Sequence, residues 1–252
     1  MSARRTQRAH KREPYKKPEL RVLPTTLWEY PSQHYGTSTQ GDKKYVGATP
    51  SWVIWQLLQR YTRENDLIVD PMCGSGTTID VARDLSRRAL GYDLNPQRED
   101  IFRADARALP LEDEKADFVF IDPPYSTHVD YSDDPSCIGK LDATLPPSEN
   151  EYFTAMRGVI AEIDRVLRDR RCMALYVSDS FTKGAKPPRQ AFVPIGFELF
   201  SILRERFRPI DIVCVKRRNR KLELGNWRRS AVKENFFLRG FNYLFIMKKE
   251  SS

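Results

Sequence analysis

No apolar run in this chain approaches the ~20 residues needed to cross a bilayer, so a membrane partner is not expected. The N-terminus is basic but has no apolar stretch of the kind a secretory signal carries, which points to the cytoplasm. Cysteine and histidine are scarce, with four and three in 252 residues. Cys73, Cys137, Cys172 and Cys214 form no CxxC pair and have no histidine at zinc spacing. That excludes a disulfide framework and a metal centre as expectations, and leaves free, mostly buried thiols. A phosphate loop is excluded as well, because no lysine follows Gly74 and Gly76 at the GxxxxGK[ST] spacing.

What the chain does have is positive charge in two places. Residues 1–21 hold eight basic and two acidic side chains, and residues 216–233 hold eight and one, against a chain total of +8. The remainder is therefore mildly acidic. A basic tail plus a basic internal segment suits a polyanionic partner, nucleic acid above all. A solubilising tail and a solvated hairpin are the alternative.

The pattern along the chain is one of alternating strands and helices. Residues 1–21 lack periodicity and are expected to be a disordered tail, with a single domain over 22–252. Residues 22–48 are rich in proline, glycine and aromatics, and read as irregular chain wrapping over a core. Pro50 opens an apolar-periodic helix begun by Thr49 or Ser51. Strands follow at 66–70, 89–93, near 104–106, at 118–122 and at 173–178, with helices at 77–88, 149–167 and 195–206. Strands at 211–215 and 243–247 lack a helix between them and are expected to pair antiparallel at one edge, with 216–240 as a long excursion. The fold class is α/β: a mostly parallel seven-stranded sheet with that antiparallel edge pair and helices on both faces. Loops 126–148, 182–194 and 216–240 are left as the candidates for recognition.

Two segments carry chemistry. Asp70-Pro71-Met72-Cys73-Gly74-Ser75-Gly76-Thr77-Thr78 ends the buried strand Leu67-Ile68-Val69. Its glycines allow a sharp turn and close approach of backbone to a ligand, with Thr77 and Thr78 expected to cap the next helix. Asp93 closes the following strand about 20 positions on, where an acidic residue typically takes ribose hydroxyls. Asp105, ahead of the Leu109-Pro110 turn, is placed to accept from an adenine amino group. The second segment is Asp122-Pro123-Pro124-Tyr125, straight after the apolar Phe118–Ile121. Two prolines stiffen an extended turn without N–H groups. The Asp122 carboxylate and the carbonyl before Pro124 then both face one small donor. An aromatic amine is a poor nucleophile because its lone pair is delocalised; two acceptors on its N–H bonds favour a tetrahedral nitrogen. Tyr125 offers a flat face for a base.

These residues resemble the S-adenosylmethionine-dependent amino-methyltransferases of nucleic acids, closely over residues 48–125 and in outline to 248. The resemblance implies a Rossmann-like methyltransferase fold, with S-adenosyl-L-methionine as cofactor and no metal. It implies that Asp70, Cys73, Gly74, Gly76 and Thr77 hold the methionine portion, that Asp93 holds the ribose and Asp105 the adenine, and that Pro71, Met72, Thr78, Leu94, Asn95 and Ala106 also border the cofactor. Asp122 borders the cofactor, and Asp122, Pro123, Pro124 and Tyr125 are the catalytic tetrapeptide. Gly47–Trp52, with Pro50 and Trp52, looks like the family's segment that folds over the methionine end. Met72 stands where the family often has phenylalanine. None of the cysteines directly follows a proline, as the nucleophile of cytosine-C5 enzymes does.

The expectation is a nucleoid-associated enzyme that methylates cytosine N4 or adenine N6 in double-stranded DNA by base flipping. His128, Tyr131, Arg217, Arg218, Arg220, Trp227 and Arg228 are its candidate substrate contacts. An RNA guanosine-N2 methyltransferase and a catalytically silent nucleic-acid-binding relative are the alternatives. Monomer and homodimer both stay open, as does pairing with a cognate restriction endonuclease.

Overall fold

A computed structural model describes residues 17–45, 47–125, 133–144, 150–181, 192–218, 222 and 224–250. Most of the basic tail, residues 126–132 and 145–148 of the first loop and most of loop 182–194, with His128, Tyr131 and Arg220, lie outside the described residues.

Ten strands and five helices are described. In chain order they are β1 (Leu27–Trp28), α1 (Ser51–Tyr61), β2 (Leu67–Asp70), α2 (Thr77–Asp84), β3 (Arg88–Asp93), β4 (Ile101–Arg103), β5 (Ala116–Ile121), α3 (Glu151–Val166), β6 (Leu167–Val177), β7 (Ser180–Phe181), β8 (Phe192–Val193), α4 (Ile195–Leu203), β9 (Arg208–Lys216), α5 (Gly225–Lys233) and β10 (Phe241–Lys248). Eight strands make one sheet in the order β1-β9-β10-β6-β5-β2-β3-β4, and β7 with β8 form a separate hairpin. Only β10 runs against its neighbours β6 and β9. The antiparallel pair is where the sequence places it, but the sheet has eight strands rather than seven. The added strand comes from the segment read as irregular wrapping: Leu27 and Trp28 pair parallel to Cys214 and Val215 and cover part of the β9 edge.

The inner strands alternate faces, as the pleat requires, yet are buried on both. Ile68, Phe118 and Phe120 pack with Trp52, Leu57 and Val81 from the α1–α2 layer. Val69, Val119 and Ile121 pack with Met156, Ile160 and Leu199 from the α3–α4 layer. Burying such side chains contributes ~1.5–3 kcal/mol each before chain entropy is subtracted. No helix of the described residues is long and apolar enough to cross a membrane.

Several boundaries differ from expectation for visible reasons. α2 ends at Asp84 rather than Arg88, because Ser86 turns into the left-handed region at φ 59° and Arg88 begins β3 opposite Leu67. Thr77 and Thr78 do not cap α2. Gly76 occupies the cap at φ 78°, and the Thr78 hydroxyl donates to Asp70 at 2.5 Å. Pro50, not Thr49 or Ser51, is the α1 cap, and both hydroxyls are used elsewhere. Residues 225–233, inside the expected excursion, form a helix with no buried residue.

Register decides where chemistry can sit. β2 pairs with β3 on one side and β5 on the other, both parallel. The chain turns in opposite directions from β2, so the carboxyl ends of β2, β3 and β5 frame a topological switch point, where ligands of open α/β sheets bind. Asp70, Asp93 and Asp122 all lie at that edge.

Candidate active site

The glycine loop is shaped by backbone contacts that a side chain would break. The Cys73 N–H donates to the Tyr92 carbonyl at 2.8 Å, tying the loop to the end of β3. The Gly74 N–H donates to Asp93 Oδ2 at 2.9 Å, while Asp93 Oδ1 accepts from the Asn95 N–H at 2.9 Å. Gly74 has φ 47°, and a Cβ there would lie 2.7 Å from the Tyr45 ring. At Gly76 a Cβ would run into Arg98, itself held by Asp80 and Asp100 at 2.8 Å each.

Gln40, Gly41 and Asp42 tie a preceding segment to this loop and the helices beside it. Asp42 N–H donates to the Ser75 carbonyl at 2.8 Å, Gly41 N–H to Asp80 Oδ2 at 2.7 Å, and Ser51 Oγ to Gln40 Oε1 at 2.8 Å. Asp70 is buried beneath. It accepts from Met72 N–H at 3.1 Å and from Thr78. Burial pushes its carboxyl up to about 7, against the pull of those two hydrogen bonds.

Two cavities meet at Asp122. The smaller, about 410 Å³, is within the ~300–1,000 Å³ usual for small-molecule sites. Pro71, Met72, Asp93, Leu94, Asn95, Asp105, Ala106 and Pro124 line it, with Asp42, Tyr45 and Ile138 among others. Among the described residues its charged lining is four carboxylates, Asp42, Asp93, Asp105 and Asp122, against one cation, Lys44. That composition suits a cationic ligand with an apolar flat portion. The larger cavity, about 810 Å³, is lined by Thr49, Pro50, Trp52, Asp70, Cys73, Gly74, Thr77 and Thr78, and on another side by Tyr125, Tyr176, Lys216, Arg217, Arg218 and Asn242. Met72 and Asp122 border both.

The tetrapeptide is held from three directions. Tyr125 donates its phenol to Asp122 Oδ1 at 2.7 Å. Thr49 donates its hydroxyl to Asp122 Oδ2. The buried Tyr152 of α3 donates to the Pro124 carbonyl at 2.9 Å, which fixes the turn. Burial pushes the Asp122 carboxyl up to about 7, while the Thr49 and Tyr125 hydrogen bonds and the Arg217 charge oppose that rise. Such a group is divided between acid and carboxylate near neutral pH. Burial also raises the Tyr176 phenol, with the Asp122 charge adding to it.

Not every sequence-selected residue converges here. Pro123 and Gly76 shape turns without lining either cavity. Asp105 reaches the smaller cavity with both oxygens accepting from Arg107, at 2.9 Å from Nε and 2.5 Å from Nη2, and this ion pair holds its carboxyl below the usual range. Arg217 donates to Ser178 Oγ at 3.3 Å, and Lys216 and Arg218 both contact Glu29, at 2.6 and 3.2 Å. Trp227 and Arg228 are on the exposed α5. Tyr45, Tyr152, Tyr176 and Asn242 carry no signal in the sequence, and Thr49 is legible only as a helix start and as part of the Gly47–Trp52 segment, not as a partner of Asp122. Each is a common residue type whose role arises from distant chain.

Comparison with known proteins agrees with this arrangement. Residues 2–104 and 116–250 match the DNA methylase family. A segment of 62 residues is 37% identical to the Type II methyltransferase M2.LlaDCHI of Lactococcus lactis subsp. cremoris, covering 23% of each protein. Another match, over 66 residues, is 39% identical to the Type II methyltransferase M2.DpnII of Streptococcus pneumoniae, covering 25% of each. The chain thus spans about a quarter of the length of these curated relatives. Among solved structures, the [4+2]-cyclase SpnF superposes with a TM-score of 0.51 at 14% identity, over 81% of this chain and 83% of that one. This last likeness is one of fold alone.

Proposed function

The chain belongs to the DNA methylase family, and from that premise we propose that it transfers a methyl group from S-adenosyl-L-methionine to an exocyclic amino group of a base in double-stranded DNA, cytosine N4 or adenine N6. The observation that carries this reading is Asp122, held by Thr49 and Tyr125 where an acid-lined cavity opens into a larger one.

The smaller cavity fits the cofactor by charge and by shape. Its four carboxylates face a molecule whose sulfonium and ammonium are both positive, and Gly74, in the lining of the adjoining larger cavity, leaves open the space a side chain would fill. Asp93 and Asn95 border the ribose in this reading, and Leu94, Ala106 and Ile138 the adenine. When bound, the cofactor supplies an electrophilic methyl group. Everything else falls to the chain. Asp122 and a tetrapeptide carbonyl accept the two N–H bonds of the target amine, which frees its lone pair for in-line attack. With its proton affinity matched to neutral pH, Asp122 also takes up the proton the amine must lose.

A base inside a duplex cannot reach this depth, so the target nucleotide is flipped into the larger cavity and stacks on Tyr125. Lys216 and Arg218, exchanging Glu29 for DNA, and Arg217 contact phosphates at its border, and Trp227 with Arg228 on α5 extend that surface. The test is Asp122→Ala. Transfer of labelled methyl to unmethylated DNA is expected to fall at least a thousandfold while cofactor affinity stays within a few fold. Near wild-type turnover would remove Asp122 from the mechanism.

A further inference from the structure

Asn242 is the second residue of β10, and its side chain continues a face otherwise made of Leu244 and Ile246. A polar residue at this point of an apolar face needs a reason. β10 is antiparallel to β6, so its first residues lie at the carboxyl edge of the parallel strands, and Asn242 lines the larger cavity beside Tyr125 and Asp122. The residue is only 5% exposed. Its Nδ2 faces the Tyr125 phenol oxygen at 3.5 Å. That phenol gives its own proton to Asp122, so it meets Asn242 only as an acceptor, which fixes the amide's orientation. Asn242 Oδ1 then points away from Tyr125 and, among the described residues, has no hydrogen-bond partner. An unsatisfied buried acceptor is destabilising, and it is tolerated where a ligand completes it.

Resting on the proposed reading, we infer that Asn242 is the residue that selects the flipped base. A carboxamide presents an acceptor next to a donor. Adenine and cytosine each present the complement, an exocyclic amino group next to a ring nitrogen acceptor. Oδ1 shares with the tetrapeptide carbonyl the amino hydrogen that Asp122 does not take, while a hydrogen of Nδ2 turns to the ring nitrogen. Thymine, and guanine at its O6–N1 edge, present the reverse order, a carbonyl next to a ring N–H, and meet Asn242 acceptor to acceptor and donor to donor. Asn242 therefore admits adenine and cytosine and excludes thymine, and guanine when it enters by that edge. It recognises substrate and leaves methyl transfer itself to Asp122.

The experiment compares the full chain with Asn242→Ala and Asn242→Asp. Cofactor affinity is measured by calorimetry, and kcat/KM on unmethylated genomic DNA is measured from pH 6 to 9. Asn242→Ala is expected to lose at least tenfold in kcat/KM at every pH, with cofactor affinity unchanged. Asn242→Asp carries a pH signature that a packing role does not produce. Protonated, aspartic acid supplies the acceptor and donor of the amide, so its activity relative to wild type should rise at least fivefold from pH 9 to pH 6. An Asn242→Ala enzyme within twofold of wild type would overturn the inference, as would a flat ratio for Asn242→Asp. If Asn242→Ala fails to fold, as judged by lost cofactor binding, the Asn242→Asp pH ratio alone decides. A wild-type chain that methylates no DNA removes the proposed function and this inference together, whereas an active wild type with indifferent variants removes only the inference.

Discussion

Replacing Thr49 by valine keeps the shape of a buried side chain and deletes one hydroxyl, the one donated to Asp122 Oδ2. Burial raises Asp122 to about 7, and the Thr49 hydrogen bond is the largest influence opposing that rise. A hydrogen bond to a charged group contributes ~1.5–3 kcal/mol. With ~1.4 kcal/mol per pKa unit, its loss should raise Asp122 by about 1–2 units. The sign follows from the role: Asp122 accepts the amine's N–H bonds only as a carboxylate, and removing the hydroxyl favours the protonated form. The acid limb of kcat/KM should therefore move from near pH 7 to about pH 8–9. The alkaline plateau should stay within a few fold of wild type, so that at pH 7 the variant is about tenfold slower. Asp70 also lies at about 7 and its charge interacts with that of Asp122, so the limb belongs to the pair. Asp70→Asn, which removes the like charge, should shift it the other way. The assay is initial-rate methyl transfer at subsaturating DNA, from pH 5.5 to 9.5. An unmoved limb, or an equal loss at every pH, would refute the reasoning.

Three further outcomes are expected. Gly74→Ala places a side chain at φ 47° and against the Tyr45 ring. The backbone strain alone costs ~1–2 kcal/mol, so cofactor affinity by calorimetry should fall at least tenfold and the melting temperature by several degrees. Unchanged affinity would remove the glycine loop from the cofactor site. Arg217→Gln with Arg218→Gln should reduce the slope of log binding constant against log salt by about two units. Trp227→Ala should weaken DNA binding without altering that slope, as measured by fluorescence anisotropy.

The parts of the site legible in the sequence were those carried by local chain. Apolar runs bounded by Asp70, Asp93 and Asp122 reveal parallel strands, because strands buried on both faces cannot alternate. The order of the strands then brings the three carboxylates to one edge. Thr49 escaped because its partner is 73 residues away, and Asn242 because its contact with Tyr125 spans 117. Nothing local distinguishes such a threonine from a helix cap. The α2 boundary was misread because Leu85 continues the helical pattern, while parallel pairing claims Arg88 for β3. β1 was invisible for a similar reason: two residues with no alternation become a strand only because β9 offers an edge. The arginines at 217 and 218 were visible as charge, but their engagement with Ser178 and Glu29 was not.

The central claim is that Asp122, at the meeting of the two cavities, receives the amino group of a DNA base. The most direct measurement is methyl transfer from isotopically labelled S-adenosylmethionine to unmethylated duplex DNA and, in parallel, to total RNA, with the modified nucleosides identified by mass spectrometry. N4-methylcytosine or N6-methyladenine from DNA, absent with Asp122→Ala, is the predicted result and names the base. Label confined to RNA, or no transfer by a chain shown to bind the cofactor, would contradict it.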